Sequence, residues 1–72
     1  MTLLRNGSME LMFVDAFKRG DRNAIVCRRG NHNYIVGKNY IMDGDEVSWS
    51  WGAYDFPDAI SACQCAQAWV NG

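Results

Sequence analysis

Turn signals recur through this chain roughly one strand length apart: Asn6-Gly7, Arg19-Gly20-Asp21, Gly30-Asn31 and Asp43-Gly44. Asn-Gly and Asp-Gly are strong hairpin signals, because a type I′ turn needs positive φ at both central residues. Punctuation this dense leaves room for one strand between turns and predicts an antiparallel meander. Met9 to Lys18 is the first long segment, with Met12, Val14 and Ala16 apolar at even positions and Leu11, Phe13 and Phe17 at odd positions around Asp15. A strand apolar on both faces is expected to be central or covered on both sides. Ala24 to Arg28 and Asn33 to Met42 read as the next two strands, and Gly37 inside the second signals a bulge or a close backbone approach. Val47 to Tyr54 has the cleanest period of two, with Val47, Trp49, Trp51 and Ala53 on one face and Ser48, Ser50 and Gly52 on the other.

The period changes after Tyr54. Pro57 suits the first position of a helix, and Asp55 and Asp58 suit its positive end. Ala59, Ala62, Cys63, Ala66, Trp69 and Val70 then recur at helical spacing and form one apolar face of small residues. Such a face lets the helix sit close to a sheet, with Trp49 and Trp51 expected beneath it. The fold class expected is therefore α+β: a four-stranded antiparallel β-meander with one C-terminal α-helix packed on one face. Residues 1–8 have two readings, a short extra N-terminal strand turned back by Asn6-Gly7 or a tail preceding a single domain over 9–72.

Seventy-two residues allow one small domain, and 49% hydrophobic content is enough to give it a core. Three cysteines, Cys27, Cys63 and Cys65, do not make a closed disulfide framework, and the first residues hold no secretory apolar stretch. The expected setting is cytoplasmic, with free thiols. No apolar run approaches the ~18 residues of a membrane span. Cys63 and Cys65 point about 200° apart on a helix and cannot share a metal ion. His32, the single histidine, has no third group to orient it for Cys-His chemistry, and Asp43-Gly44-Asp45-Glu46 is too short for a calcium loop. No catalytic residue, metal ligand or cofactor motif is expected.

The net charge of −1 conceals an asymmetry. Lys18, Arg19, Arg22, Arg28 and Arg29 face Asp21 alone in the segment 18–29, whereas Asp43, Asp45, Glu46, Asp55 and Asp58 are unopposed in 43–58. In a meander the two turns bearing these charges lie at one end of the sheet, where some are expected to pair. Two functional readings follow. The first is a free-standing, non-catalytic protein-binding module. Its contact surface would be Leu11, Phe13, Asp15 and Phe17 with Lys18, Arg19, Arg22, Arg28 and Arg29, and Asp43, Asp45 and Glu46 would form an acidic patch. Size and class alone suggest an analogy with phage or mobile-element inhibitors of a bacterial host or defence complex. The second reading is a nucleic-acid-binding module using basic residues within 18–29 and aromatics of the sheet, Phe13, Phe17, Tyr34 and Tyr40. A pI of about 5.6 disfavours it. For oligomeric state two readings stand: a homodimer that covers Leu11, Phe13 and Phe17, with Asp15 paired to Arg28 or Arg29, and a monomer in which Asp15 keeps this face wet until a target binds.

Overall fold

The computed structural model describes residues 2–72; Met1, the first residue of the N-terminal segment, lies outside them. The order of elements is β1 (Leu3–Asn6), β2 (Met9–Arg19), β3 (Arg22–Arg29), β4 (Asn33–Asp43), β5 (Glu46–Phe56) and α1 (Ala59–Asn71). Five strands in chain order form an antiparallel sheet with the helix packed on it, and β1 meets β5 to close a barrel. The N-terminal segment is thus a strand of the sheet. An up-and-down meander with an odd number of strands brings its first and last strands together running the same way. The closing pair is accordingly parallel, and it is one residue long, Arg5 beside Glu46. The Arg5 N–H donates to the Asp45 carbonyl at 2.8 Å, and the Asn6 side-chain amide donates to the Val47 carbonyl at 2.8 Å.

The turns form where expected but one residue later than the type I′ reading places them. Asn6 pairs with Met9 and Asp43 with Glu46, so the two-residue loops are Gly7-Ser8 and Gly44-Asp45. Gly7 (φ 62°) and Gly44 (φ 63°) take the left-handed conformation, and the residue after each does not. Glycine in the leading position is the pattern of a type II′ turn, which matches strand twist as well as type I′ does.

Two apolar clusters lie back to back across the sheet. The barrel interior holds Leu4, Leu11, Ile25, Cys27, Ile35 and Val47, with Met9, Tyr40 and Trp49 packed against it. The outer cluster joins Ala24, Val26 and Val36 to Ala62, Ala66 and Val70 of the helix. The strands buried on both faces are therefore β3 and β4, not β2: Ala24 to Cys27 and Ile35 to Gly37 are each continuously buried. Val and Ile suit this setting, since β-branched side chains pack well on a pleated surface. Each large aliphatic fully buried here contributes about 1.5–3 kcal/mol. Burial also pushes the Cys27 thiol up to about 11.

Irregularities in three strands redirect side chains that simple alternation places together. In β2 the register against β3 shifts between Phe13 and Asp15. The extra residue puts Leu11 and Phe13 on the interior side and Phe17 against the helix-side cluster. The common apolar face expected from Leu11, Phe13 and Phe17 does not exist, and Leu11, only 1% exposed, is core. β4 and β5 change faces together near Asn39, a non-glycine residue at φ 55°. Val47 and Trp49 serve the interior, whereas Trp51 lies beside Trp69 and Ala53 packs in the helix-side cluster. Only the second half of that expected face looks toward the helix. The Asn23 side chain bridges the irregularity, accepting from the Tyr40 N–H at 2.9 Å and donating to the Tyr40 carbonyl at 3.2 Å.

Gly37 marks a close approach. A Cβ there would lie 2.5 Å from the Trp49 ring, so the indole rests directly on the backbone. The helix begins two residues after Pro57, with Asp58 as its N-cap rather than Pro57 as its first residue. The Asp58 carboxylate accepts from the Ser61 N–H and from its hydroxyl, both at 2.8 Å. These bonds hold the Asp58 carboxyl below the usual carboxylate range.

Candidate binding surface

Among the described residues no pocket opens and no three potential metal ligands converge; the surface offers edges and patches. The basic residues do not form one patch. Lys18, Arg19 and Arg22 flank the β2–β3 turn, whereas Arg28 and Arg29 are at the far end of β3. Six residues of strand separate Arg22 from Arg28, roughly 20 Å.

Arg19 and Arg22 are committed to the helix. The Arg22 Nη1 donates to the Trp69 carbonyl at 2.9 Å, and the Arg19 Nη1 donates to the Asn71 side chain at 2.9 Å. The helix has no basic residue in its last turn, so cations from the neighbouring hairpin serve its negative end. The Arg22 guanidinium also lies 4.3 Å from the centre of the Trp69 ring, with the Lys38 ammonium at 5.4 Å. Trp69 in turn donates from Nε1 to the Asn23 carbonyl at 3.3 Å, and its ring meets that of Trp51 at 5.9 Å. The expected pairing of basic and acidic turns is not seen. The one ion contact among the described residues joins Arg5 to Asp45 at 4.0 Å, with both side chains more than half exposed. Asp15 does not pair with Arg28 or Arg29; its carboxylate accepts from the Ala16 N–H at 2.8 Å.

Two strand edges are open. β1 pairs with β2 only from Met9 to Met12, and the Phe13 N–H reaches the Thr2 carbonyl at 2.9 Å. Among the described residues, β2 beyond Phe13 has β3 on one side and no strand on the other. β5 pairs with β4 along its length apart from a register shift between Ala53 and Phe56, where Asp55 takes φ 68°, but its opposite edge meets β1 only at Glu46 and the Asn6 side chain only at Val47. From Ser48 to Phe56 that edge has no strand partner among the described residues. It carries the two exposed aromatics of the strand, Trp51 at 58% and Tyr54 at 52%. Tyr54 is held over Gly52 by the Trp49 Nε1, which donates to its hydroxyl at 3.2 Å. The acidic residues Asp43, Asp45 and Glu46 are exposed at one end of this edge, and Asp55 at the other.

Of the residues read from sequence as a contact surface, only the acidic group thus adjoins this edge. Trp51 and Tyr54 were missed, Trp51 because alternation places it with Trp49. A signal was nonetheless present: Val47 to Tyr54 is a β-prone run of eight residues without a charge. The chain matches no protein-family model, no curated protein and no solved structure. No helix is long and apolar enough to cross a membrane.

Proposed function

We propose that this chain is a protein-binding module that takes an extended segment of its partner along the open edge of β5. The observation that supports this most is the unpartnered stretch from Ser48 to Phe56 with Trp51 and Tyr54 exposed on it. An unpaired edge offers a row of N–H and C=O groups to another chain, and strand addition is a common mode of peptide recognition. Main-chain bonds supply the register, and the aromatics supply apolar area. Trp and Tyr are the side chains most enriched where binding energy concentrates. The nucleic-acid reading has less support, because the basic residues divide between two ends of the barrel and Arg19 and Arg22 are already engaged with the helix.

The test is affinity capture with the wild-type chain and with Ser50→Lys, which puts a charge on the exposed edge as natural edge strands do. The expected result is a protein retained by wild type and lost with Ser50→Lys, while the thermal melts coincide. Equal retention by both, or no protein retained by wild type, would refute the edge reading. Binding of single-stranded DNA or RNA that falls steeply with salt would favour the other reading.

A further inference from the structure

The charges around β5 specify what can lie on it. No Lys or Arg follows Lys38 in the chain, so every formal side-chain charge from there on is acidic. Glu46 and Asp55 bracket the uncharged run, Asp43 and Asp45 stand beside Glu46, and Asp58 lies just past Asp55. All five are exposed. Asp55 keeps its place through a reciprocal pair with Asn33, whose amide donates at 3.1 Å and whose oxygen accepts from the Asp55 N–H at 3.2 Å. Arg5 offsets Asp45 only at 4.0 Å and at high exposure, and among the described residues Asp43 and Glu46 form no ion pair.

From this we infer that the β5 edge selects an extended protein segment with an uncharged, alternating centre and Lys or Arg near both ends, and that it rejects a second copy of itself. The inference rests on the edge reading above and adds the chemistry of the occupant. Glu46 and Asp55 are nine residues apart, so the basic flanks of the segment should be separated by roughly 30 Å of extended chain. Apolar side chains at alternate positions would lie beside Trp51 and Ala53. The rejection of self follows from the direction of pairing. A two-fold antiparallel pairing of β5 with β5 of another copy brings the Asp45–Glu46 end of each strand beside the Asp55 end of the other. Like charges directly opposite one another in a sheet are destabilising.

The experiment uses the full chain and two synthetic peptides with the same alternating Thr/Val centre, one ended in lysines and one in glutamates. Tryptophan fluorescence follows binding, and amide chemical shifts locate it. The lysine-ended peptide should bind with shifts confined to residues 48–54, about tenfold more tightly than the glutamate-ended one at low salt, with the difference shrinking as salt is raised. The double variant Asp43→Asn/Glu46→Gln, at two exposed positions, should melt like wild type and lose much of that preference. Equal binding of the two peptides, no binding at millimolar concentration, shifts on β2 instead of β5, or a dimer in sedimentation that Ser50→Lys dissociates would each overturn the inference. Failure of charge selection alone, with partner capture still lost in Ser50→Lys, would leave the edge reading standing.

Discussion

The barrel has two open edges, and they are finished differently. Along β2 the stretch beyond Phe13 is bulged at Val14, places Asp15 at the bulge and ends in Lys18 and Arg19. The Asp15 carboxylate occupies the Ala16 N–H from within the chain. Bulges, charges and self-satisfied polar groups are the devices by which natural sheets keep an edge from recruiting another strand. The edge of β5 has none of them from Ser48 to Ala53, its own bulge and charge coming only at Asp55. That stretch runs in register with β4, carries no charge and exposes Trp51. One small sheet thus contains a protected edge and an unprotected one, which implies that protection was available and is missing where docking would occur.

The sharpest way to break this comparison is to substitute the two tryptophans of β5 separately. Trp49→Ala should cost about 3 kcal/mol, since its ring seats on Gly37 and fills the end of the barrel interior. Trp51→Ala, at a side chain 58% exposed, should cost about 1 kcal/mol or less and act on partner capture instead. Urea denaturation of both decides it; equal losses would mean that Trp51 is structural and the edge is not free. Gly37→Ala comes next. Its new methyl would meet the Trp49 ring at 2.5 Å, and the overpacking should cost about 1–3 kcal/mol. Amide exchange should then quicken in 48–53 more than in 14–19; a uniform increase would mean the two edges are not separable.

Asp15→Ala acts on the other edge. Its effect on stability should be about 0.5 kcal/mol, but it removes a guard of β2, so concentration-dependent association should appear in light scattering. Association unchanged from wild type would show that the bulge alone suffices. The smallest effect concerns the cap that anchors the helix behind both edges. The Asp58 carboxyl titrates below its unfolded value because Ser61 donates to it. Its contribution is therefore present above the unfolded carboxylate pKa and is lost as pH falls through the folded one. Wild type should exceed Asp58→Ala in melting temperature at neutral pH, with the gap closing on acidification. A gap independent of pH would exclude the charged cap as its cause.

How far the sequence can be read follows from the range of the forces involved. The helix face is local, and Ala62, Ala66 and Val70 are all buried as their spacing implies. The turns are local too, apart from the one-residue displacement of their central pairs. The two faces of β2 were not readable, because nothing in Phe13-Val14-Asp15 announces an extra residue; the bulge is a property of its pairing with β3. The division between Trp49 and Trp51 depends on a turn of the sheet at Asn39, a residue of the neighbouring strand. Arg19 and Arg22 read as a free basic patch because their partners, Trp69 and Asn71, lie some fifty residues away in the chain. The open edge of β5 was half visible. Its uncharged run is in the sequence, but its lack of a partner depends on how little of it β1 reaches.

The one-residue closure has a consequence for the order in which the molecule assembles. Each of the four antiparallel ladders joins neighbours in the chain across a loop of two or three residues, and each can form on its own. The Asn6 to Val47 bond at the seam spans 41 residues. Its loop-closure entropy is larger than that of any hairpin, and it brings few bonds in return. Ring closure is therefore expected late in folding, after the hairpins, and its reversal early in unfolding. A chain caught before that step already has β5 in place beside β4, with an even longer edge exposed.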